Sequence, residues 1–493
     1  MKLAELISAV PKSRVHGSLD RVVKGLQYDS RRVSQEDIFF AWKGQKSDGH
    51  AFVPEACRRG SSAVVYESED LVLTSGPTYI QVPRAREALA RIADVFHGHP
   101  SRSMNAIGIT GTNGKTTTAF VTKYLLTRLG SKVGLLGTVR YEIGDRILSA
   151  TRTTPEGSDL HELLAQMRDE QCSAVVMEVS SHALDQGRVM GVDFNVAVWT
   201  NLTPDHLDYH LTMENYFLAK KKLFENLALN CRSSVAIINQ DDSYCQKLRP
   251  SIPDKVRIIS YSTKGNVDAS LQARNLFSDA SGTTFDLLWN GEEHPIKIPL
   301  IGRFNVENVV AAIGVVVGLG HKLTDLLPHL SSLPAVPGRL ERFTSKDGVT
   351  VIVDYAHTAD ALENVLQTLR GLVSARLITV VGCGGDRDRT KRPMMAAAAC
   401  RLSDRVVFTA DNPRSESLSQ IFTDMRAGVV ETGKTEWIED RHTAISRVIE
   451  QSRAGDLICV AGKGHETTQE IQGKFYPFDD RAVIREVLKG RGM

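Results

Sequence analysis

The chemistry of this chain is densest in "GITGTNGKTTTAF", residues 108–120, where glycines, a lysine and a run of threonines follow an apolar segment. Gly111 and Gly114 leave backbone N–H groups free to face an anion. Lys115 adds a point charge, and the Thr116 hydroxyl can reach Mg²⁺ at a helix N-terminus. Together they make a phosphate cradle of a shortened G-x-x-G-K-T form, because Ile109 stands where the commoner G-x-x-x-x-G-K-[ST] pattern has glycine. A glycine turn with a merely solvated lysine is the plainer alternative. Against it stand the apolar run before the turn and the helical spacing of Phe120, Val121, Tyr124 and Leu125 after it.

Further polar groups could complete such a site. "VVMEVSSH" ends an apolar run in Glu178, a carboxylate placed either to hold a metal or its water at a sheet edge or to serve structure alone. "TPDHLDYH" adds His206, Asp208 and His210, which read equally as a zinc-spaced histidine pair or as a capped polar loop. In "YFLAKKKLF" the lysines 220–222 would ordinarily be a solvated face. A bare ammonium is repelled by a metal ion, whereas a lysine carbamate is an anionic oxygen ligand. "DNPR", residues 411–414, is a turn by its Asn-Pro step, yet a turn does not need Arg414, whose planar guanidinium suits a carboxylate.

The elements that must position these groups alternate between strand and helix patterns. Residues 1–103 mix short apolar runs such as "DIFFAW" and "SAVVYE" with helical stretches, as a small α/β domain does. From residue 104 strand-like runs ("SKVGLLGTV", "SAVVMEV", "FNVAVWTNL", "SVAIINQDD") alternate with helices, which predicts parallel strands with crossover helices. A second such series follows "LPAVPGR": "VTVIVDYAH", "ARLITVVGCGGD", "DRVVFTADNPR" and "DLICVAGKGHE". Each run ends in polar or glycine-rich residues, where open α/β sheets bind ligands. The expected architecture is therefore α/β with domains at 1–103, 104–335 and 336–493. The middle one would be a P-loop domain on a mostly parallel sheet and the last would be Rossmann-like.

Bulk properties bound the function. At 493 residues the chain exceeds one core. Lys+Arg 60 against Asp+Glu 58 gives +2, so no global charge argues for nucleic acid or an acidic membrane. The opening residues lack a signal-peptide core, and "VVAAIGVVVGLG" is too short for a span, so neither export nor membrane insertion is expected. Cysteines at 57, 172, 231, 245, 383, 400 and 459, without a C-x-x-C pair, fit a reducing cytoplasm.

"GTNGKTT", "MEVSSH", "DHLDYH", the Ala219–Lys220 pair, "GRFNVEN", "PGRLE", "DYAH", "GCGGDRD", "DNPR" and "AGKGHE" occur together in the order seen in the Mur ligases. Over almost its whole length the chain resembles this family of ATP-dependent amide-forming enzymes of peptidoglycan precursor synthesis. Within it, the motifs are nearest those of members that add the third peptide residue, meso-diaminopimelate, to UDP-MurNAc-L-Ala-D-Glu. The resemblance implies that the first domain holds the UDP end of that substrate, the middle one ATP and the last the incoming amino acid.

By motif, the resemblance assigns ATP to Gly111, Thr112, Asn113, Gly114, Lys115, Thr116, Thr117, Asn305, Arg339 and Asp354. The UDP-substrate falls to Tyr28, Ser30, Gln45, Lys46, Ser47, Thr153, Thr154, Ser180, Gln186 and Arg188, and the amino acid to Arg387, Asp411, Asn412, Pro413, Arg414, Gly462 and Glu466. Thr116, Glu178, His206 and Lys220, the last as carbamate, would surround Mg²⁺, with Lys115, Lys220, Glu178 and His206 carrying catalysis. One departure is Arg152, where relatives often have Asn before the threonine pair. The implied reaction runs through an acyl phosphate, in a cytoplasmic enzyme expected to be a monomer. A lysine-adding ligase of the same family, a folylpolyglutamate synthase-like ligase and a P-loop ATPase switch remain the alternatives. Arg414 speaks against the first and the long first domain against the second.

Overall fold

The computed structural model describes residues 1–44, 47–229, 234–430 and 432–491; Gln45 and Lys46, assigned by motif to the UDP-substrate, lie outside them. Three main sheets succeed one another along the chain. The first joins Arg14–His16, Thr78–Gln81, Ala63–Tyr66, Asp37–Ala41 and Gly25–Gln27, parallel throughout except at the Arg14–His16 edge. "DIFFA" is buried along its whole length because successive side chains serve opposite cores, Phe39 one and Phe40 the other.

The middle sheet has 11 strands. Its centre is parallel, in the order Val133–Leu136, Ala174–Glu178, Asn105–Thr110, Phe194–Trp199, Val235–Asn239 and Arg257–Ser262. Antiparallel hairpins extend both edges. Ile107 and Ile109 pack toward the helices Lys115–Arg128 and Arg303–Gly318, and Ala106 toward the opposite core, so these strands read as continuous apolar runs. The register sets Glu178 beside Ile109 and Trp199 beside Thr110, bringing three strand ends to one edge. The apolar stretch at 309–320 belongs largely to the buried helix Arg303–Gly318. Among the described residues no helix is long and apolar enough to cross a membrane.

The last sheet orders Glu341–Thr344, Thr350–Asp354, Leu457–Ala461, Leu377–Val381, Arg405–Phe408 and Thr435–Trp437, antiparallel only at its first edge. Helices Ala359–Arg370, Lys391–Leu402 and Leu418–Arg426 cover one face, and Arg441–Glu450 and Asp480–Lys489 the other. This is the doubly wound arrangement expected, and the insertion of Leu457–Ala461 between the earlier strands creates the order reversal beside which such folds bind ligands. A two-stranded hairpin, Thr468–Ile471 with Lys474–Pro477, stands apart from the sheet.

Candidate active site

The phosphate loop leaves Asn105–Thr110 and enters the helix that begins at Lys115. Glycine is required at two of its positions. A Cβ on Gly111 (φ +150°) would lie 1.8 Å from Thr200 Oγ1, and one on Gly114 (φ +87°) 2.3 Å from Asn308 Oδ1. Lys115 folds back over the loop, its Nζ donating to the carbonyls of Gly111 and Thr112 at 2.8 Å each. Backbone oxygens of the loop thus hold the Lys115 side chain in place.

Lys220 is 1% exposed and also donates to Gly111 O, at 2.8 Å. Burial pushes its pKa well below that of a free lysine, and the charge of Lys115 adds to the effect. Glu178, at the end of its strand, accepts from Thr116 Oγ1 at 3.0 Å and from the backbone N and hydroxyl of Thr138 at 2.8 and 3.0 Å. His206 has its Nε2 3.4 Å from Asp205 Oδ2, and burial lowers its pKa against the pull of that carboxylate. His210, by contrast, turns away to Ser181 Oγ at 2.9 Å, so the two histidines do not form a zinc pair. A hydroxyl, a carboxylate and an imidazole at one cavity wall suit a hard cation that completes its shell with water and phosphate oxygens, as Mg²⁺ does. Among the described residues no group of three or more His, Cys, Asp and Glu side chains is placed to hold a metal ion by itself.

These groups line one cavity of about 500 Å³ between the middle and last sheets. Thr112, Asn113, Gly114, Lys115, Thr116, Thr117, Arg339 and Asp354 face it, as do Thr153, Thr154, Ser180, Arg188 and Arg387. Glu178, His206 and Lys220 complete the set, and Arg152 joins them. Hydrogen bonds link the two regions across the cavity, among them Arg339 Nη2 to Thr116 Oγ1 at 3.1 Å and Asn113 Nδ2 to Asp360 Oδ2 at 2.9 Å. Elsewhere on the cavity wall Arg188 donates to Thr154 O (3.1 Å), and Thr154 Oγ1 ties Glu178 O to Ser180 N at 2.9 and 3.0 Å.

Other expected residues stand elsewhere. Asn305 directs its amide to Ile301 O at 2.9 Å, while Phe304, Glu307 and Asn308 of the same helix turn face the cavity. Gly111 and Gln186 do not line it, nor do Tyr28, Ser30 and Ser47 of the first sheet region. Tyr28 donates to Asp159 Oδ2 (2.8 Å) and Ser30 to Glu55 Oε2 (2.9 Å). Thr138, Asp205 and His357 were missed by sequence reasoning although they line the cavity. Each sits just past a strand end or beside a motif residue, and that position is the signal that could have found them.

Asp411, Asn412, Pro413, Arg414, Gly462 and Glu466 form a second cluster outside the cavity lining. Arg414 has φ +54°, an uncommon conformation for a non-glycine residue, and the hairpin pins it there: its N donates to Glu470 O at 3.0 Å and its O accepts from Gln472 N at 2.7 Å. Its guanidinium donates to Gly385 O at 2.7 Å, and Nε lies 3.3 Å from Glu470 Oε2. Arg387, which lines the cavity, has its pKa lowered by burial and by the charge of Arg414, so the two clusters adjoin.

Family models match along the chain: the Mur ligase family catalytic domain at residues 22–97, the Mur ligase middle domain at 109–316 and the Mur ligase glutamate ligase domain at 338–464. Curated relatives include the UDP-N-acetylmuramoyl-L-alanyl-D-glutamate–2,6-diaminopimelate ligases of Solibacter usitatus and Geobacillus kaustophilus. Each is 44% identical over 498 residues and covers 100% of this chain, at 99% and 100% of their own lengths. A solved structure of a ligase of that name aligns at 34% identity with a TM-score of 0.70, over 99% of both chains. The MurF ligase of Thermotoga maritima in complex with ADP, 19% identical, shares the fold at a TM-score of 0.64 over 95% of this chain and 98% of that one. On sequence, fold and the assembled phosphate site, the chain belongs to the Mur ligase family.

Proposed function

We propose that this chain is an ATP-dependent ligase that joins meso-diaminopimelate to the D-glutamate γ-carboxylate of UDP-MurNAc-L-Ala-D-Glu in peptidoglycan precursor synthesis. One observation carries the reading: a phosphate loop, a buried lysine, a strand-end glutamate and a set of arginines converge on one cavity between two domains. The names of the full-length relatives support the same substrates.

The γ-carboxylate is a poor electrophile. The terminal phosphoryl of ATP passes to one of its oxygens, ADP leaves, and the acyl phosphate forms. The amine of meso-diaminopimelate then attacks the carbonyl carbon, phosphate departs with the oxygen, and the nitrogen loses its proton as the amide forms. Both reactants of the first step are anions, so positive charge fixed in advance lowers the barrier most. Lys115 supplies it beside the helix N-terminus, Arg339 adds it from the last domain, and Arg188 with Thr154 and Ser180 orients the dipeptide. Lys220 is a buried amine with depressed basicity, and such an amine adds CO₂ to give a carbamate with loss of a proton. Thr116, Glu178, His206 and the carbamate of Lys220 would hold Mg²⁺, which when bound neutralises phosphate oxygens.

Residues 1–103 would carry the UDP end, 104–335 the nucleotide and 336–493 the amino acid, in a monomer working in the cytoplasm. Arg387, Asn412, Arg414 and Glu466 would recognise the distal amino and carboxylate groups that lysine lacks as a pair. Closing of the last domain over the middle one, through Asn113 and Asp360, would exclude water from the acyl phosphate. The test offers single amino acids with ATP and UDP-MurNAc-L-Ala-D-Glu and reads products by mass. A tripeptide with meso-diaminopimelate alone supports the reading. Preferential addition of lysine, or orthophosphate release without an acceptor, refutes it.

A further inference from the structure

Lys463 is fully buried in "AGKGHE", an unusual place for an ammonium, and its surroundings explain how it is tolerated. Nζ donates to Asn412 Oδ1 at 3.1 Å, Glu466 Oε2 at 2.9 Å and Thr468 O at 2.7 Å. A lysine ammonium has three N–H donors, so these bonds use all of them and leave none for a ligand. What Lys463 does, it does through the groups it holds.

Those groups are the expected readers of the amino acid. Asn412 Oδ1 accepts from both Lys463 and the backbone N of Glu470 (3.0 Å), which fixes the amide so that Nδ2 points to Glu466 Oε2 at 2.8 Å. Glu466 Oε2 is thus held from two sides, while Oε1 accepts no hydrogen bond among the described residues and is left for an incoming ammonium. Through Thr468 O the same lysine ties down the start of the hairpin whose Glu470 and Gln472 pin Arg414. A single buried cation therefore sets the orientation of Asn412, Glu466 and the segment that presents Arg414.

We propose that Lys463 is a positioning residue of the amino-acid pocket: with the amide of Asn412 it braces Glu466 so that the free carboxylate oxygen of Glu466 is aimed at an amino group of the substrate. This rests on the proposed function above. Lys463→Gln and Lys463→Arg are compared with the unmodified full-length enzyme for the KM of each substrate and kcat, with the unfolding temperature of each variant recorded. Loss of the charge-assisted bonds should raise the meso-diaminopimelate KM of Lys463→Gln on the order of 30-fold or more. Lys463→Arg, whose planar fork cannot serve all three acceptors at once, should give a rise of roughly three- to tenfold. The KM values for ATP and the UDP-dipeptide should stay within about twofold, since Lys463 hydrogen-bonds Asn412, Glu466 and Thr468 and none of the residues assigned to those two substrates. If Lys463→Gln does not fold, the same split in Lys463→Arg decides. An unaltered amino-acid KM, or equal losses for all three substrates, overturns the proposal. Failure of the unmodified enzyme to use meso-diaminopimelate would instead overturn the substrate assignment itself.

Discussion

In the cavity, the Nζ atoms of Lys115 and Lys220 donate to the same carbonyl oxygen, Gly111 O, each at 2.8 Å. Around Arg414 the pattern is reversed. Arg414 faces Glu470, Lys463 holds Glu466, and fully buried Arg392 contacts Glu416 and Asp424 at 2.7 Å each. In the first region the two lysines meet backbone oxygen, with the carboxylates of Glu178 and Asp205 acting on them from farther off, whereas in the second each cation is paired directly with a carboxylate. Group transfer needs the former, since its charge builds up during reaction. Selection needs the latter, since a preorganised pocket loses little on binding and leaves polar groups unpaired when the wrong amino acid enters.

Breaking the charged cavity should have the largest effect. Lys115→Ala removes the cation nearest the helix N-terminus and should cost about 10² to 10³ or more in kcat, with the UDP-dipeptide still bound. Lys220→Ala should fall comparably and recover in part with added short-chain carboxylates, which can stand in for the carbamate oxygens; near-normal turnover without them would remove the carbamate from the account. Arg414→Ala attacks the preorganised region and should act on one substrate, raising the meso-diaminopimelate KM about 10- to 150-fold and lowering its preference over lysine. An unchanged ratio of kcat/KM values would reduce Arg414 to a turn residue.

The smallest effect concerns stability and comes from neither region. His161, fully buried where the helices Ala85–Phe96 and Gly157–Asp169 meet, bonds Met190 O at 2.9 Å through Nε2, with Nδ1 3.6 Å from Asp94 Oδ1. Burial lowers its pKa from 6.5 to about 4. Between those values the unfolded chain binds a proton that the folded one refuses, so stability rises with pH across that window and is lost as pH falls from 6.5 toward 4. His161→Gln should flatten that slope by about 1–3 kcal/mol, read from denaturant unfolding at the two ends. A slope unaltered by the substitution would assign the acid sensitivity to other groups.

The phosphate loop was legible in the sequence because strand, glycine turn and helix are consecutive, and the three-sheet α/β layout because apolar runs alternate with helical spacing. The motif marks Asn305 and gives no sign of Asn308, because motif spacing does not say which face of the helix Arg303–Gly318 meets the cavity. The partners of Arg414 were illegible for another reason. Glu470 and Gln472 come from a hairpin more than fifty residues on, whose short strands carry exposed Phe475 and Tyr476 and give no core-facing pattern. Tyr28 reads as a ligand contact by motif, yet its bond to Asp159 ties the first sheet to the middle one, a tertiary contact that local sequence does not encode.

In the proposed reaction ATP activates the dipeptide carboxylate and is not hydrolysed by water. UDP-MurNAc-L-Ala-D-Glu labelled with ¹⁸O in its γ-carboxylate, turned over with ATP and meso-diaminopimelate, should transfer label to the orthophosphate released, one labelled oxygen for each amide formed from fully labelled substrate. Orthophosphate carrying only solvent oxygen, released in the same amount with or without the amino acid, would contradict the acyl-phosphate mechanism and leave an ATPase in its place.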